Sequence, residues 1–173
     1  MFCIFFFLRV YAIAAHYNQH KIIIYNIPKH TAIDFIAGNH YCFAGDTAVI
    51  YDDFLRNFNL RPGRIQNRVS NKGNPVIPEL SNAILNFHGK SVLLLNSAIP
   101  NQTSEQKIPV DLIIVSKNPK LYIADLQKIF DCNQIVFDSS NPMWKIEQWK
   151  KDCNNLHLRF HSISADGAFE MNL

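Results

Sequence analysis

The most informative residues are Lys117 and Asn118, which follow the apolar run Val110 to Ser116. A buried strand of this kind delivers its last residues to the end of a sheet, where α/β proteins place their chemistry. Here it delivers an ammonium and an amide, then Pro119, and no imidazole, thiol or carboxylate that would bind a metal or attack a substrate. Arg56, Arg61, Arg64, Arg68 and Lys72 form a second constellation, in the stretch from Phe54 to Pro78 that holds no Asp or Glu. Forked guanidinium donors suit phosphate oxygens, so this stretch is the expected place for contact with DNA backbone. A solvated loop, or one beside anionic lipid headgroups, is the alternative. His16 with His20 and His157 with His161 are each spaced i, i+4. Two imidazoles without a carboxylate or thiol nearby are too few for a metal site, so these are expected to be ordinary surface or half-buried histidines.

The rest of the chain must position these groups. It has 173 residues, 48% of them apolar and 18% charged, with a formal net charge of +3. That composition excludes a disordered chain and allows an anionic partner without requiring one. The four cysteines, Cys3, Cys42, Cys132 and Cys153, show no Cys-x-x-Cys or zinc spacing. Buried thiols are expected, with a Cys132–Cys153 disulfide open in an oxidising compartment. Phe2 to Ala15 is apolar apart from Arg9, and shorter than the ~20 residues a helix needs to cross a bilayer. Residues 1–20 therefore read as a hydrophobic segment outside the soluble fold, either the stub of a transmembrane helix or a signal-like leader.

From Lys21 the pattern turns to strands. Lys21 to Asn26 is a covered strand, and His30–Ala37 and His40–Ala44 flank Gly38-Asn39 as a tight hairpin. Thr47 to Leu60 carries Tyr51, Phe54, Leu55 and Phe58 at helical spacing, ended by Pro62-Gly63. A loop is expected from Asn59 to Pro78. A second hairpin spans Asn82–Phe87 and Ser91–Asn96. The last third alternates: strand Asp111–Ser116, helix Leu121–Phe130, strand Gln134–Asp138, and a helix capped by Ser140 or Asn141 with Pro142 first. Met143, Ile146, Trp149 and Cys153 form the inner stripe of that helix, while Trp144 is partly exposed. Leu156–Phe160 and Gly167–Met171 close the chain as strands. A strand-rich half followed by strand–helix alternation gives an α/β (α+β) layered protein of mixed sheets and flanking helices.

Four local sequences in this order resemble the metallo-β-lactamase-like domain at the C-terminus of ComEC-type competence proteins, the inner-membrane channels for DNA uptake. Ile24 to Ile33 matches the family's opening phrase Phe-Leu-Asp-Val-Gly-Gln-Gly-Asp-Ala-Ile. Leu94 to Ile99 is similar to Leu-Leu-Thr-Gly-Asp-Ile, and Val110 to Pro119 to Ala-Asp-Val-Leu-Lys-Val-x-His-His-Gly. Asp166 to Phe169 echoes the terminal Asp-Gly-Ala-Ile. The resemblance covers Lys21 to Leu173 and implies an abbreviated metallo-β-lactamase-like sandwich over residues 21–173.

It also implies degenerate ligand positions. The family's bridging aspartate falls on Ala98 and its paired histidines on Lys117 and Asn118. The His-x-His-x-Asp-His loop has no counterpart, because no histidine lies between His40 and His88. Without ligands for Zn²⁺ this chain has no means of lowering the pKa of a bound water to ~7. The expectation is a domain with no catalytic residues, no metal and no cofactor. Its implied partners are a ComEC-type membrane channel or neighbouring domain, single-stranded DNA, and a membrane reached through the N-terminal segment. The implied location is the periplasmic side of the inner membrane. An interaction module without a nucleic-acid role and a hydrolase with a rearranged metal site are the rival readings.

Overall fold

The computed structural model describes Ile4, residues 16–70, Ile77, residues 81–99 and residues 106–173. Most of the N-terminal segment, Lys72 and Cys3 lie outside the described residues.

Two sheets stack face to face. The first has the order β3-β2-β1-β9 and is antiparallel throughout. Its strands are β1 (His20–Ile24), β2 (Ala32–Ala37), β3 (His40–Gly45) and β9 (Phe169–Asn172). The β2–β3 hairpin turns at Gly38-Asn39 as expected, with Ala37 opposite His40. Gly38 has φ 59, the left-handed conformation that such a turn needs.

The second sheet has the order β4-β5-β6-β7-β8. β4 (Ala83–Phe87) and β5 (Lys90–Leu95) form the second hairpin. β6 (Ile108–Val115), β7 (Phe130–Phe137) and β8 (Phe160–Ser162) then run parallel to β5. Parallel neighbours need crossovers, which α4 (Ile123–Ile129) and α5 (Met143–Asn155) supply.

Three apolar layers hold these elements. Ile22, Ile24, Ile33 and Phe35 of the first sheet meet Val92, Leu94, Leu112, Ile114 and Val136 of the second in the central layer. The outer face of the second sheet packs Ile113, Val115 and Phe137 against Leu126, Ile146, Trp149 and Cys153. The outer face of the first packs Ile23, Tyr25, Ile36 and Phe43 against Val49 and Leu60. Those two come from the stretch α1 (Thr47–Tyr51), α2 (Asp53–Leu55), a π-helical turn (Arg56–Leu60) and α3 (Arg61–Gln66). The result is the expected αββα sandwich, with a final short helix, α6 (Ile163–Asp166), before β9.

Several boundaries differ from the sequence reading. The chain is helical through Gln66, where a loop was expected from Asn59. Pro62 sits at the first turn of α3, where its missing N–H is not needed. Gly63 lets the helix approach Tyr25, whose ring a Cβ there would meet at 3.0 Å. Phe130 belongs to β7 and not to the preceding helix, because its backbone joins the parallel ladder opposite Ile108. Pro142 takes the N-cap position of α5, and neither Ser140 nor Asn141 caps it, since both side chains are engaged elsewhere. Met143 leaves the inner stripe and is exposed, whereas Trp149 is core and Trp144 is exposed. The closing strands start later than expected, at Phe160 and Phe169. Cys132 and Cys153 stand as free thiols packed on the same apolar layer, and burial pushes them up to about 11 and about 12.

Candidate functional site

Lys117 and Asn118 end β6 in an uncommon way: both have left-handed backbone, at φ 59 and 52. For a residue with a Cβ this conformation costs on the order of 1–2 kcal/mol. Two hydrogen bonds from the segment after β7 hold it in place. The Lys117 N–H donates to Ser140 Oγ at 2.6 Å and the Asn118 N–H to Asn141 Oδ1 at 2.9 Å. Strain maintained by surrounding structure is a mark of functional positions.

Facing them is the segment after β3. Gly45 has φ 140, and a Cβ there would lie 2.2 Å from Thr31 O, so only glycine allows this approach. It brings Asp46 against the Thr31 N–H, at 3.0 Å, and against His30 Nδ1, at 3.2 Å. Lys117 Nζ reaches the other Asp46 oxygen at 2.8 Å. Burial acts against the Asp46 charge, but the Lys117 and Thr31 hydrogen bonds outweigh it and hold the carboxyl below its ordinary range.

Beneath this triad lies Asp138, fully buried at the end of β7. Thr31 Oγ1 donates to one of its oxygens at 2.6 Å. Ser140, through both its hydroxyl and its N–H, and Asn141 Nδ2 donate to the other. Burial nevertheless lifts its pKa to about 7. Because Thr31 precedes β2 and Asp138 ends β7, this carboxyl ties the two sheets together. Lys29 N–H to Ser139 O at 2.9 Å, and Ser139 Oγ to Asn26 Oδ1 at 2.7 Å, add to the tie.

Above the network is an open cleft of about 540 Å³, lined by residues that include Lys29, His30, Asp46, Lys117, Asn118 and Ser140. Lys145 Nζ donates to Asn118 Oδ1 at 2.8 Å and to Pro119 O. Burial and the neighbouring Lys120 both lower the Lys145 pKa. Tyr122 and Trp144 are exposed in the two adjoining segments.

Of the degenerate ligand positions, Lys117 and Asn118 thus face one cleft, and Ala98 does not line it. The sequence reading missed Asp46, His30, Asp138 and Ser140. The available signal was positional: Asp46 and Asp138-Ser-Ser-Asn141 each follow a strand, as Lys117 does.

The arginine-rich stretch is not brought together as one positive surface. Arg64 is turned inward, with Nε 2.8 Å and its second nitrogen 2.9 Å from the two oxygens of Asp34. Its guanidinium also lies 3.9 Å from the centre of the Tyr41 ring. Burial opposes that charge, but the Asp34 hydrogen bonds and attraction raise its pKa overall. Arg56 pairs with Asp53 and Ile50 O. Arg61 and Arg68 remain exposed. The lack of acids within the stretch is real, but the fold supplies one from β2.

Stacked sheets flanked by helices, with polar side chains collected at one end of the strands, define the metallo-β-lactamase-like class of layered domain. Residues 22–173 match the family model of the ComEC C-terminal domain. The chain belongs to that family and is a region of the ComEC type of competence, DNA-uptake protein. No curated protein and no solved structure matches it.

The metal centre implied by that class requires several imidazoles and carboxylates free to ligate. The cleft offers His30 and Asp46, already bonded to each other, with the Lys117 ammonium at the carboxylate. An ammonium repels a divalent ion and has no lone pair to offer it. These residues do not fit a metal pair.

Proposed function

We propose that this chain is a non-catalytic accessory region of a ComEC-type DNA-uptake protein, and that its cleft holds the phosphate backbone of single-stranded DNA. The observation that carries this reading is the Lys117–Asp46 pair at the end of β6, a fixed organic cation in the position where the family's histidines fall. Lys29 lines the same cleft, and Lys145, with Lys120 near it, is hydrogen-bonded to Asn118 of the lining. The mutual repulsion of Lys120 and Lys145 is relieved by an anion between them. Tyr122 and Trp144 beside them supply exposed rings on which unpaired bases stack. On this reading the domain works at the periplasmic face of the inner membrane, as the family likeness implies, beside the channel that carries the strand.

Fluorescence anisotropy with a short single-stranded oligonucleotide tests this. Binding is weak and falls steeply as salt rises. Lys29→Glu with Lys120→Glu abolishes it, whereas Arg61→Glu with Arg68→Glu leaves it in place. The reverse pattern moves the contact to the helical stretch, and no binding at low salt removes the DNA role. Incubation of the oligonucleotide with protein and added Zn²⁺ or Mn²⁺ leaves it intact; cleavage abolished by Asp46→Asn would restore the hydrolase reading.

A further inference from the structure

The helical stretch from Thr47 to Gln66 presents an unusual outer face. Its inner side is accounted for by Val49 and Leu60, both fully buried. Outward, Tyr51 is 83% exposed, Phe54 67%, Phe58 72% and Ile65 64%. These four recur along the stretch as a stripe of exposed apolar side chains, and the Phe54 and Phe58 rings stack on each other with centres 5.2 Å apart. Single exposed apolar residues are ordinary, but a row of this kind marks a surface that meets something.

The charges along the stripe narrow the choice. Arg61 lies between Phe58 and Ile65, and Arg68 follows α3; both are exposed. Of the two acids at the start of the stretch, Asp53 is paired with Arg56, and Asp52 is turned to the N–H groups of Phe54 and Leu55. Aromatic rings and an aliphatic side chain interleaved with arginine are the composition of a helix lying in the headgroup region of an anionic bilayer.

A second, independent observation points the same way. The apolar residues Phe2–Ala15 join the domain through Tyr17 and Gln19. Gln19 Nε2 is fixed to Asn67 O at 2.7 Å, immediately after α3, and to Gly38 O at 2.8 Å. Tyr17 beside it is 63% exposed. The described chain ahead of β1 is therefore fastened beside the end of α3, at one end of the stripe. At ~1.5 Å per residue the stripe extends ~20 Å from that point back to Phe54.

We infer that this face is a membrane-docking surface. Tyr51, Phe54, Phe58 and Ile65 sit at the boundary between headgroups and acyl chains, and Arg61 and Arg68 contact lipid phosphates. The domain is thereby laid down on the bilayer that receives residues 2–15. This inference does not rest on DNA binding at the cleft.

The test uses the full chain and phosphatidylcholine vesicles with and without phosphatidylglycerol. In the Phe58→Trp protein, the emission added over that of Trp144 and Trp149 shifts to the blue on anionic vesicles and is quenched by brominated acyl chains. Phe54→Ser with Phe58→Ser keeps the far-ultraviolet circular dichroism of the parent and lowers vesicle affinity about tenfold or more. Arg61→Glu with Arg68→Glu removes the preference for phosphatidylglycerol. Three results overturn the inference. In the first, protein sediments with vesicles through residues 2–15 while Trp at position 58 stays open to aqueous iodide. In the second, the Phe54/Phe58 variant binds vesicles like the parent. In the third, emission at position 58 responds to an oligonucleotide and not to vesicles.

Discussion

Lys117 at the sheet ends and Arg64 beneath the helical stretch are each a cation held 2.8 Å from an aspartate. Their surroundings differ in ways that decide their roles. Asp34 is wholly buried and receives the Arg64 fork on both oxygens, with Tyr25 Oη donating to one of them at 2.8 Å. Desolvation is then the largest influence on the Tyr25 phenol, and Asp34 adds to it, so its pKa is raised. Every group in that cluster has its partners, and the cluster fastens α3 to the first sheet. The Lys117–Asp46 pair keeps 30% and 17% of its side-chain surface exposed and opens on the cleft. The first pair is sealed inside the fold, and the second is open to the cleft where the proposed DNA contact lies. A count of basic residues along the chain ranks the two regions the other way round.

Four expected outcomes break or sharpen that comparison. Arg64→Ala leaves the Asp34 carboxylate buried without its cation and destabilises the fold by about 3–5 kcal/mol in urea unfolding. Arg64→Lys recovers only part of this, since an ammonium cannot make the fork. If Arg64→Ala is neutral, the buried pair is not structural and the contrast with Lys117 fails.

Lys117→Ala costs less, about 1–2 kcal/mol, because Asp46 retains His30 and the Thr31 N–H and is partly solvated. It also raises the Asp46 pKa. A depressed carboxyl contributes stability that is present above its unfolded pKa and lost as pH falls through the folded one. Acid unfolding of the wild type below about pH 4 therefore contains an Asp46 contribution, which Lys117→Ala diminishes. Urea midpoints at pH 3 and pH 6 for both proteins measure this.

Asp138 acts with the opposite sign. Its folded pKa of about 7 lies above the unfolded value, so its contribution is complete below about pH 4 and declines as pH rises through 7. Asp138→Asn flattens the stability slope between those limits, and an unchanged slope assigns the proton uptake to another group. The smallest effects are those of Arg61→Ala and Arg68→Ala, within about 0.5 kcal/mol, since neither guanidinium is packed against a buried acid.

Local chemistry made much of the fold legible. Gly38-Asn39 supplies the turn whatever surrounds it, and the apolar runs of β5, β6 and β7 mark strands covered on both faces. The helical run to Gln66 was hidden by Pro62-Gly63, a pair that ends most helices. The close approach to Tyr25 explains it, and no local pattern encodes that approach. Lys117 and Asn118 were visible because they follow a strand. Their partners were not, because Asp46, Ser140 and Asn141 are distant along the chain and become neighbours only when two sheets stack.

The order of strands and helices, the family landmarks from Ile24 to Phe169, and the replacement of paired histidines by Lys117 and Asn118 are properties of the sequence itself. They follow from turn residues, apolar periodicity and residue identity, all of which act over a few positions. Which cations remain available to a partner was decided by the tertiary structure alone. Electrostatic attraction depends on separation in space, and folding brought Asp34 to Arg64 and Asp46 to Lys117 while leaving Arg61 and Arg68 exposed.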